Sequence, residues 1–126
     1  MKINFQFRVN LYSIAAIIEL VSGAGLVVAP VLVIQLLFGS SVGSTAHYIS
    51  QLYGMALIGL GVTCWGKNCN NQTKIGLMLY NCLAALLLLS FAIRGIAMGI
   101  MVWPAALLHL GLGALMVGDR LFDRSV

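Results

Sequence analysis

Long apolar segments alternate with short polar links along this chain. The apolar segments cover residues 9 to 29, 48 to 65, 75 to 93 and about 98 to 118. Each is close to the ~20 residues that an α-helix needs to cross a hydrocarbon core of ~30 Å. Sequential helices joined by short links pack as antiparallel neighbours. The pattern therefore predicts an all-α membrane protein with one domain, residues 1–126, folded as a four-helix bundle that runs up, down, up and down.

The links predict where the helices stop. Pro30 ends the first segment, and residues 31 to 38 are apolar but too few to cross a bilayer, which indicates a short helix at the outer interface. The start of the fourth segment stays open. That helix begins near Met98, or Trp103 and Pro104 form its first turn.

Two further patterns concern anchoring and packing. Tyr48, Tyr53 and Trp65 bracket the second segment, as aromatic residues do near membrane interfaces. Small residues at a spacing of four let helices approach closely in lipid. The pairs with this spacing are Gly25 and Ala29, Gly59 and Thr63, and Ala114 and Gly118.

Composition supports a membrane location. Apolar residues make up 61% of the chain and charged residues 8%, whereas a soluble domain carries about 25% charge. The net charge of +4 does not indicate nucleic-acid binding, because the basic residues sit in pairs that flank the apolar segments. The basic residues instead indicate the topology of the chain in the membrane and are candidate contacts for anionic lipid head groups.

The basic residues also predict orientation. If all four segments cross, six of the seven fall on one side: Lys2, Arg8, Lys67, Lys74, Arg120 and Arg124. Arg94 alone lies opposite. Basic residues stay in the cytoplasm, so both termini are expected to face inward across a bacterial cytoplasmic membrane. Cys64 and Cys69 would then also be cytoplasmic and reduced.

Glu19 is the first candidate for function. It lies near the middle of the first segment, where an ionised carboxylate is expensive and must be protonated, paired or hydrated. Its helical face is small and polar and should point inward. That face consists of Tyr12, Ala15, Ala16, Glu19, Ser22 and Gly23. Glu19 as a proton carrier or ligand contact, and Glu19 as a hydrogen-bonding tie between helices, are both open.

His109 is the second candidate, and it shares an inward stripe with Ala106, Gly113 and Met116. If the fourth helix starts near Met98, His109 reaches the depth of Glu19, and a carboxylate–imidazole pair able to relay a proton becomes feasible. If the helix starts at Pro104, the pair is not expected. A structural role for a single membrane histidine is favoured over a functional one.

Three other polar residues complete the candidate set. Gln51 lies toward the outer end of the second segment, Asn81 in the inner half of the third, and Arg94 at its outer end. Gln51, His109 and Arg94 are predicted to line an outward-facing pocket above Glu19. Arg94 has an alternative role, in which it reaches outward to lipid phosphate.

The sequence predicts no metal site and no cofactor. With one acid inside the apolar segments there is no carboxylate cluster for a di-metal site. His47 and His109 are expected at different depths, which disfavours axial haem ligation. Haem and quinone nevertheless stay open as ligands. No nucleophile, base and orienting group stand at a recognisable spacing. An intramembrane enzyme is therefore the third choice, after a binding or accessory subunit and a transporter or channel.

Two stretches carry a resemblance. Residues 50–61, SQLYGMALIGLG, and residues 103–110, WPAALLHL, resemble small bacterial tetraspan membrane proteins, in which a polar residue opens the second helix and a histidine sits in the fourth. The resemblance implies the fold but no activity or cofactor. Glu19 also parallels the first-helix carboxylate of small multidrug transporters, although their aromatic drug-binding face is missing. The Asn and Phe arrangement of small fluoride channels is missing too.

The resulting expectation is a non-enzymatic accessory or lipophilic-ligand-binding subunit. Little mass is expected outside the membrane, so function is expected inside the bundle or against membrane lipids, other membrane-protein subunits or a second copy. The alternative is a proton-coupled small transporter or channel with Glu19 as the titrating group. Four helices are few for a pore, so this alternative requires a homo-oligomer.

Overall fold

The computed structural model describes residues 5–65 and 69–123, with side chains described for residues 10–65 and 69–122. This part of the chain contains five α-helices and is all-α, as predicted. They are α1 (Phe5–Val28), α2 (Pro30–Phe38), α3 (Ser44–Val62), α4 (Asn71–Ile93) and α5 (Val102–Asp123). Lys2, Lys67 and Arg124, on which part of the predicted charge asymmetry rests, lie outside the described residues, as does the side chain of Arg8.

Three of these helices are long and apolar enough to cross a membrane. The spanning stretches within the described residues are Asn10–Val28, Asn71–Ile93 and Val102–Phe122. Large apolar side chains such as Val28, Leu86 and Ile93 are mostly exposed, as expected of surfaces that face lipid. The chain is therefore a membrane protein. α3 has 19 residues, but its first half includes His47, Ser50 and Gln51, and it is not among the three.

α1 packs mainly against α3, and their backbones meet at glycines. A Cβ added at Gly54 would lie 2.7 Å from the carbonyl oxygen of Gly23, and one added at Gly61 would lie 2.7 Å from that of Ala16. The later residue of α1 meets the earlier residue of α3, so the helices are antiparallel. The predicted small-residue pairs do not make these contacts. A Cβ at Gly59 or Gly118 would meet nothing within 4 Å.

α4 packs mainly against α5, again in antiparallel fashion. Arg120 reaches Asn71 at one end, and Gly113 lies against Cys82 further along. α1 contributes Tyr12, Ala15 and Ala16 to a buried apolar cluster that also holds Leu77 of α4 and Met116 of α5. Glu19, Asn81 and His109 are buried on the same three helices.

α2 is the short helix predicted after the first segment. Pro30 is its first residue and Phe38 its last. Gly39, which follows, has a φ of 73° that suits glycine. The carbonyls of Leu36, Leu37 and Phe38 accept hydrogen bonds from the amides of Met101, Gly99 and Met98. Because residues 98 to 101 are held in this way, α5 begins at Val102, close to the later of the two predicted starts.

The two cysteines between α3 and α4 are bonded to each other, whereas the sequence analysis predicted that both thiols are reduced. Cys64 follows α3, Cys69 precedes α4, and the two form a disulfide. Cys64 is fully buried beside the apolar cluster, and Cys69 packs against the same cluster. The two cysteines are thus close in space, which their spacing in the sequence did not indicate.

Candidate functional site

Glu19 lies at the centre of a buried polar group. Its position on α1 follows from the small stripe predicted from the sequence, since Tyr12, Ala15 and Ala16 of that stripe are buried as well. Glu19 itself has no exposed surface. Small neighbours on the same face leave room for a carboxyl group to reach α4 and α5. Burying such a group is costly unless its oxygens find partners.

Asn81 of α4 bridges Glu19 and His109. Its amide nitrogen lies 3.5 Å from Glu19 Oε1 and donates to the carbonyl oxygen of Leu77 at 2.9 Å. Its amide oxygen lies 2.8 Å from His109 Nδ1. With the amide in this orientation, the imidazole donates through Nδ1–H. Asn81 therefore fixes both the carboxyl group and the imidazole ring.

His109 and Glu19 also approach each other directly. His109 Nδ1 lies 3.9 Å from Glu19 Oε1, and His109 is only 8% exposed. The Asn81 amide has no titratable proton. At 3.9 Å the two atoms are too far apart for a hydrogen bond, so a proton could pass between them only if they moved closer or through an intervening water molecule. The arrangement combines a carboxyl group and an imidazole without water-accessible surface at the carboxyl.

Tyr80 and Tyr53 extend the polar group toward the surface. The Tyr80 ring packs edge-on against the His109 ring, with centroids 5.6 Å apart. Its hydroxyl lies 2.7 Å from that of Tyr53 on α3, whose side chain is 46% exposed. Tyr80 also neighbours the Glu19 carboxyl, yet Glu19 Oε2 has no partner at hydrogen-bond distance among the described residues. Oε2 is thus buried and available to a further donor or acceptor.

Sequence reasoning missed both tyrosines as parts of this site. Tyr53 is the tenth residue of α3 and lies near the middle of that helix, where its hydroxyl meets that of Tyr80. Tyr80 stands next to Asn81 and was not singled out. The signal that points to it is its polar hydroxyl in the middle of an otherwise apolar segment.

The structure does not place Gln51 and Arg94 in this group. Gln51 Nε2 donates to the carbonyl oxygen of Val27 at 3.0 Å and ties α3 to α1. Val27 is eight residues beyond Glu19, or ~12 Å along α1. Arg94 is exposed at the end of α4. The antiparallel course of the helices places both residues toward the end away from Lys74.

The side chains of this group are of types suited to hydrogen bonding and proton transfer. Within the described part of the chain, no three His, Cys, Asp or Glu side chains cluster as metal ligands would. The carboxyl, imidazole, amide and phenol groups can instead hold one small polar head that has hydrogen-bond donors or acceptors.

Comparison with known proteins gave no relative for this chain. No protein-family model, curated protein or solved structure matched it.

Proposed function

We propose that this protein is a non-enzymatic subunit of the bacterial cytoplasmic membrane that binds a lipophilic ligand through Glu19, Asn81 and His109. The observation that carries the proposal is the fully buried Glu19 carboxyl, whose Oε2 has no described partner. A buried polar atom without a partner is costly. A ligand O–H or N–H that donates to this atom would remove that cost, as would a carbonyl that accepts from it when the carboxyl is protonated, so the site is suited to a polar head.

The ligand that fits this reasoning has an apolar body and a compact head with a hydroxyl or carbonyl group. Tyr53 is exposed on the apolar surface and meets Tyr80 through a single hydroxyl contact. α3 and α4 otherwise touch at few places. A lipophilic molecule can approach from the bilayer between these helices, replace the Tyr53 hydroxyl on Tyr80, and then reach Glu19. Quinones and phenols belong to this class.

The proposed architecture is a tetraspan bundle formed by α1, α3, α4 and α5. Support comes from the helix directions. α1 is antiparallel to α3 and α4 is antiparallel to α5, while the pairs Tyr12–Lys74 and Glu19–Asn81 make α1 parallel to α4. This is the order of an up-down-up-down chain. α3 would cross as the fourth span, with its more polar first half shielded by Gln51 bonding to α1.

The proposed orientation has both termini in the cytoplasm. Lys74 and Arg120 share one end of the α4–α5 pair and Arg94 lies at the other, which supports this orientation. The Cys64–Cys69 disulfide favours the opposite orientation, because disulfides persist in oxidising compartments. Thiol exchange can open such a bond, whereas the charges are permanent. For this reason the orientation rests on charge.

A proton-coupled transporter or channel is the second candidate, and the 3.9 Å contact between His109 and Glu19 favours it. In this alternative Glu19 gains and loses a proton while access alternates, and a homo-oligomer supplies the pathway. Proteoliposomes with an imposed pH gradient distinguish the candidates. Coupling through Glu19 predicts faster collapse of the gradient with the wild-type protein than with Glu19→Gln, whereas the binding subunit predicts equal rates.

Ligand retention tests the leading proposal. The protein is purified in mild detergent, extracted with organic solvent, and its non-phospholipid molecules are quantified per chain by mass spectrometry. The wild-type protein and Tyr48→Phe, which changes a tyrosine that is 67% exposed, should retain the same molecule. Glu19→Gln and Tyr80→Phe should retain less. Equal retention by all four proteins, or none by the wild type, would count against a ligand at Glu19.

A further inference from the structure

A second candidate site lies on the surface between α4 and α5, toward the end of this helix pair that holds Lys74. It is an open groove of about 300 Å³ lined by Ile75, Met78, Val117 and Leu121, with Arg120 as its polar residue. Val117 and Leu121 are exposed. In a membrane this surface meets lipid, so an acyl chain is the natural occupant of the apolar part of the groove.

Arg120 supplies the polar part. Its NH2 group donates to the side-chain and main-chain oxygens of Asn71, the first residue of α4. Its Nε–H is buried and has no acceptor among the described residues. The contacts with Asn71 are exposed and use a neutral amide, whereas an anionic oxygen makes a stronger, charge-assisted bond to guanidinium. The exposed contacts of the guanidinium with Asn71 are therefore ones that an anion can replace.

The surroundings of Arg120 favour an anion there. The guanidinium lies beside the first turn of α4, where free main-chain N–H groups and the helix dipole attract negative charge. Lys74 is in the same turn region, with its ammonium 5.2 Å from the centre of the Tyr12 ring. Asp119 is buried and accepts from the Tyr12 hydroxyl at 3.5 Å, on the side of α5 that faces α1. Asp119 thus contacts α1 and is not among the residues that line the groove.

We propose that this groove binds an anionic phospholipid, with the phosphate on Arg120 and an acyl chain along Ile75, Met78, Val117 and Leu121. A free anion would use Arg120 but not the apolar lining, and a neutral lipid would use the lining but not Arg120. Only an anionic lipid uses both. The site is separate from the Glu19 group, since Arg120 lies eleven residues beyond His109, or ~16 Å along α5. It stands whether or not Glu19 binds a ligand.

Native mass spectrometry of the full chain in detergent tests this site. Phosphatidylglycerol and phosphatidylcholine with identical oleoyl chains are added in equal amounts, and the retained lipid is counted. The wild-type protein should prefer the anionic lipid by about tenfold, and Arg120→Gln should bring the ratio close to one. Arg94→Gln, at the opposite end of α4, is the matched control and should keep the preference. Equal retention by the wild type, or an equal loss in both variants, would overturn the proposal.

Two further variants keep the result interpretable. Val117→Phe fills the groove, so retention of both lipids should fall while the helix content by circular dichroism is unchanged. If Arg120→Gln does not fold, Arg120→Lys keeps the charge and should retain most of the preference for the anionic lipid. Competition with inorganic phosphate distinguishes a phosphate that belongs to a lipid from a phosphate that is free in solution. Displacement of the lipid by millimolar phosphate would show a site for soluble anions and would contradict a lipid site.

Discussion

The imidazole of His109 lies 3.9 Å from the carboxyl of Glu19, and Asn81 holds the two in place by hydrogen bonding to His109 and lying within 3.5 Å of Glu19. From the sequence, the two side chains were expected to meet only if the fourth helix started early, near Met98. α5 starts late, at Val102, and the two side chains meet all the same. Residues 98 to 101 are bonded to the end of α2, so the depth of His109 is set by that loop rather than by counting residues from an interface.

Asn81 should be the most sensitive polar position in the bundle. Asn81→Leu removes the bridge and leaves polar atoms of both Glu19 and His109 without a partner. The free energy of unfolding in detergent should fall by ~1–3 kcal/mol. Gln72→Leu, at an exposed position of the same helix, is the control and should change stability by no more than ~0.5 kcal/mol. Equal effects of the two substitutions would show that the bridge contributes nothing.

Glu19→Gln separates the structural role of Glu19 from its ligand role. Glutamine keeps a group that can donate to and accept from neighbouring side chains, so stability should fall by no more than ~1 kcal/mol, the usual scale of hydrogen bonds between membrane helices. Glu19→Leu leaves the Asn81 amide without this acceptor and should cost more. Chemical unfolding of both variants measures the difference, and a larger loss for glutamine than for leucine would contradict it.

The contact between α1 and α3 predicts opposite effects at two glycines of α3. A Cβ at Gly54 meets the backbone of Gly23, whereas a Cβ at Gly59 meets nothing within 4 Å. Gly54→Ala should therefore lower stability by ~1–3 kcal/mol through overpacking. Gly59→Ala should raise it by about 0.5–1 kcal/mol through better helix propensity. Thermal unfolding of both variants in one detergent measures the signs, and a stabilising Gly54→Ala would contradict the close approach.

The orientation is tested by labelling with a maleimide that does not cross membranes. Because Cys64 and Cys69 are bonded to each other, neither should react before reduction. In intact cells treated with a reductant that stays outside, both should still fail to react, whereas a cysteine introduced by Ser44→Cys should be labelled. Cys82, a free cysteine within α4, serves as the internal control. Labelling of Cys69 in sealed cells would reverse the proposed orientation.

Part of this structure was readable from the sequence and part was not. Apolar length gave the helices, and helical spacing turned Glu19 and His109 inward, because both depend only on local periodicity. The neighbours of each residue depend on how helices rotate and slide against one another. Periodicity does not fix this, so it neither separated Gln51 and Arg94 from the Glu19 group nor indicated Tyr80 as a member of it. Spacing likewise selected Gly59, whereas the contact is made by Gly54 and Gly61.

The central claim is that a ligand head contacts the buried Glu19 carboxyl, and infrared difference spectroscopy measures this most directly. Spectra are recorded for the purified protein before and after the retained lipophilic molecule is stripped. The account predicts a shift of a carboxyl stretching band on stripping, present in the wild-type protein and in Tyr48→Phe and absent from Glu19→Gln. A carboxyl band that stays in place when the molecule is removed, or a shift that persists in Glu19→Gln, would contradict the claim.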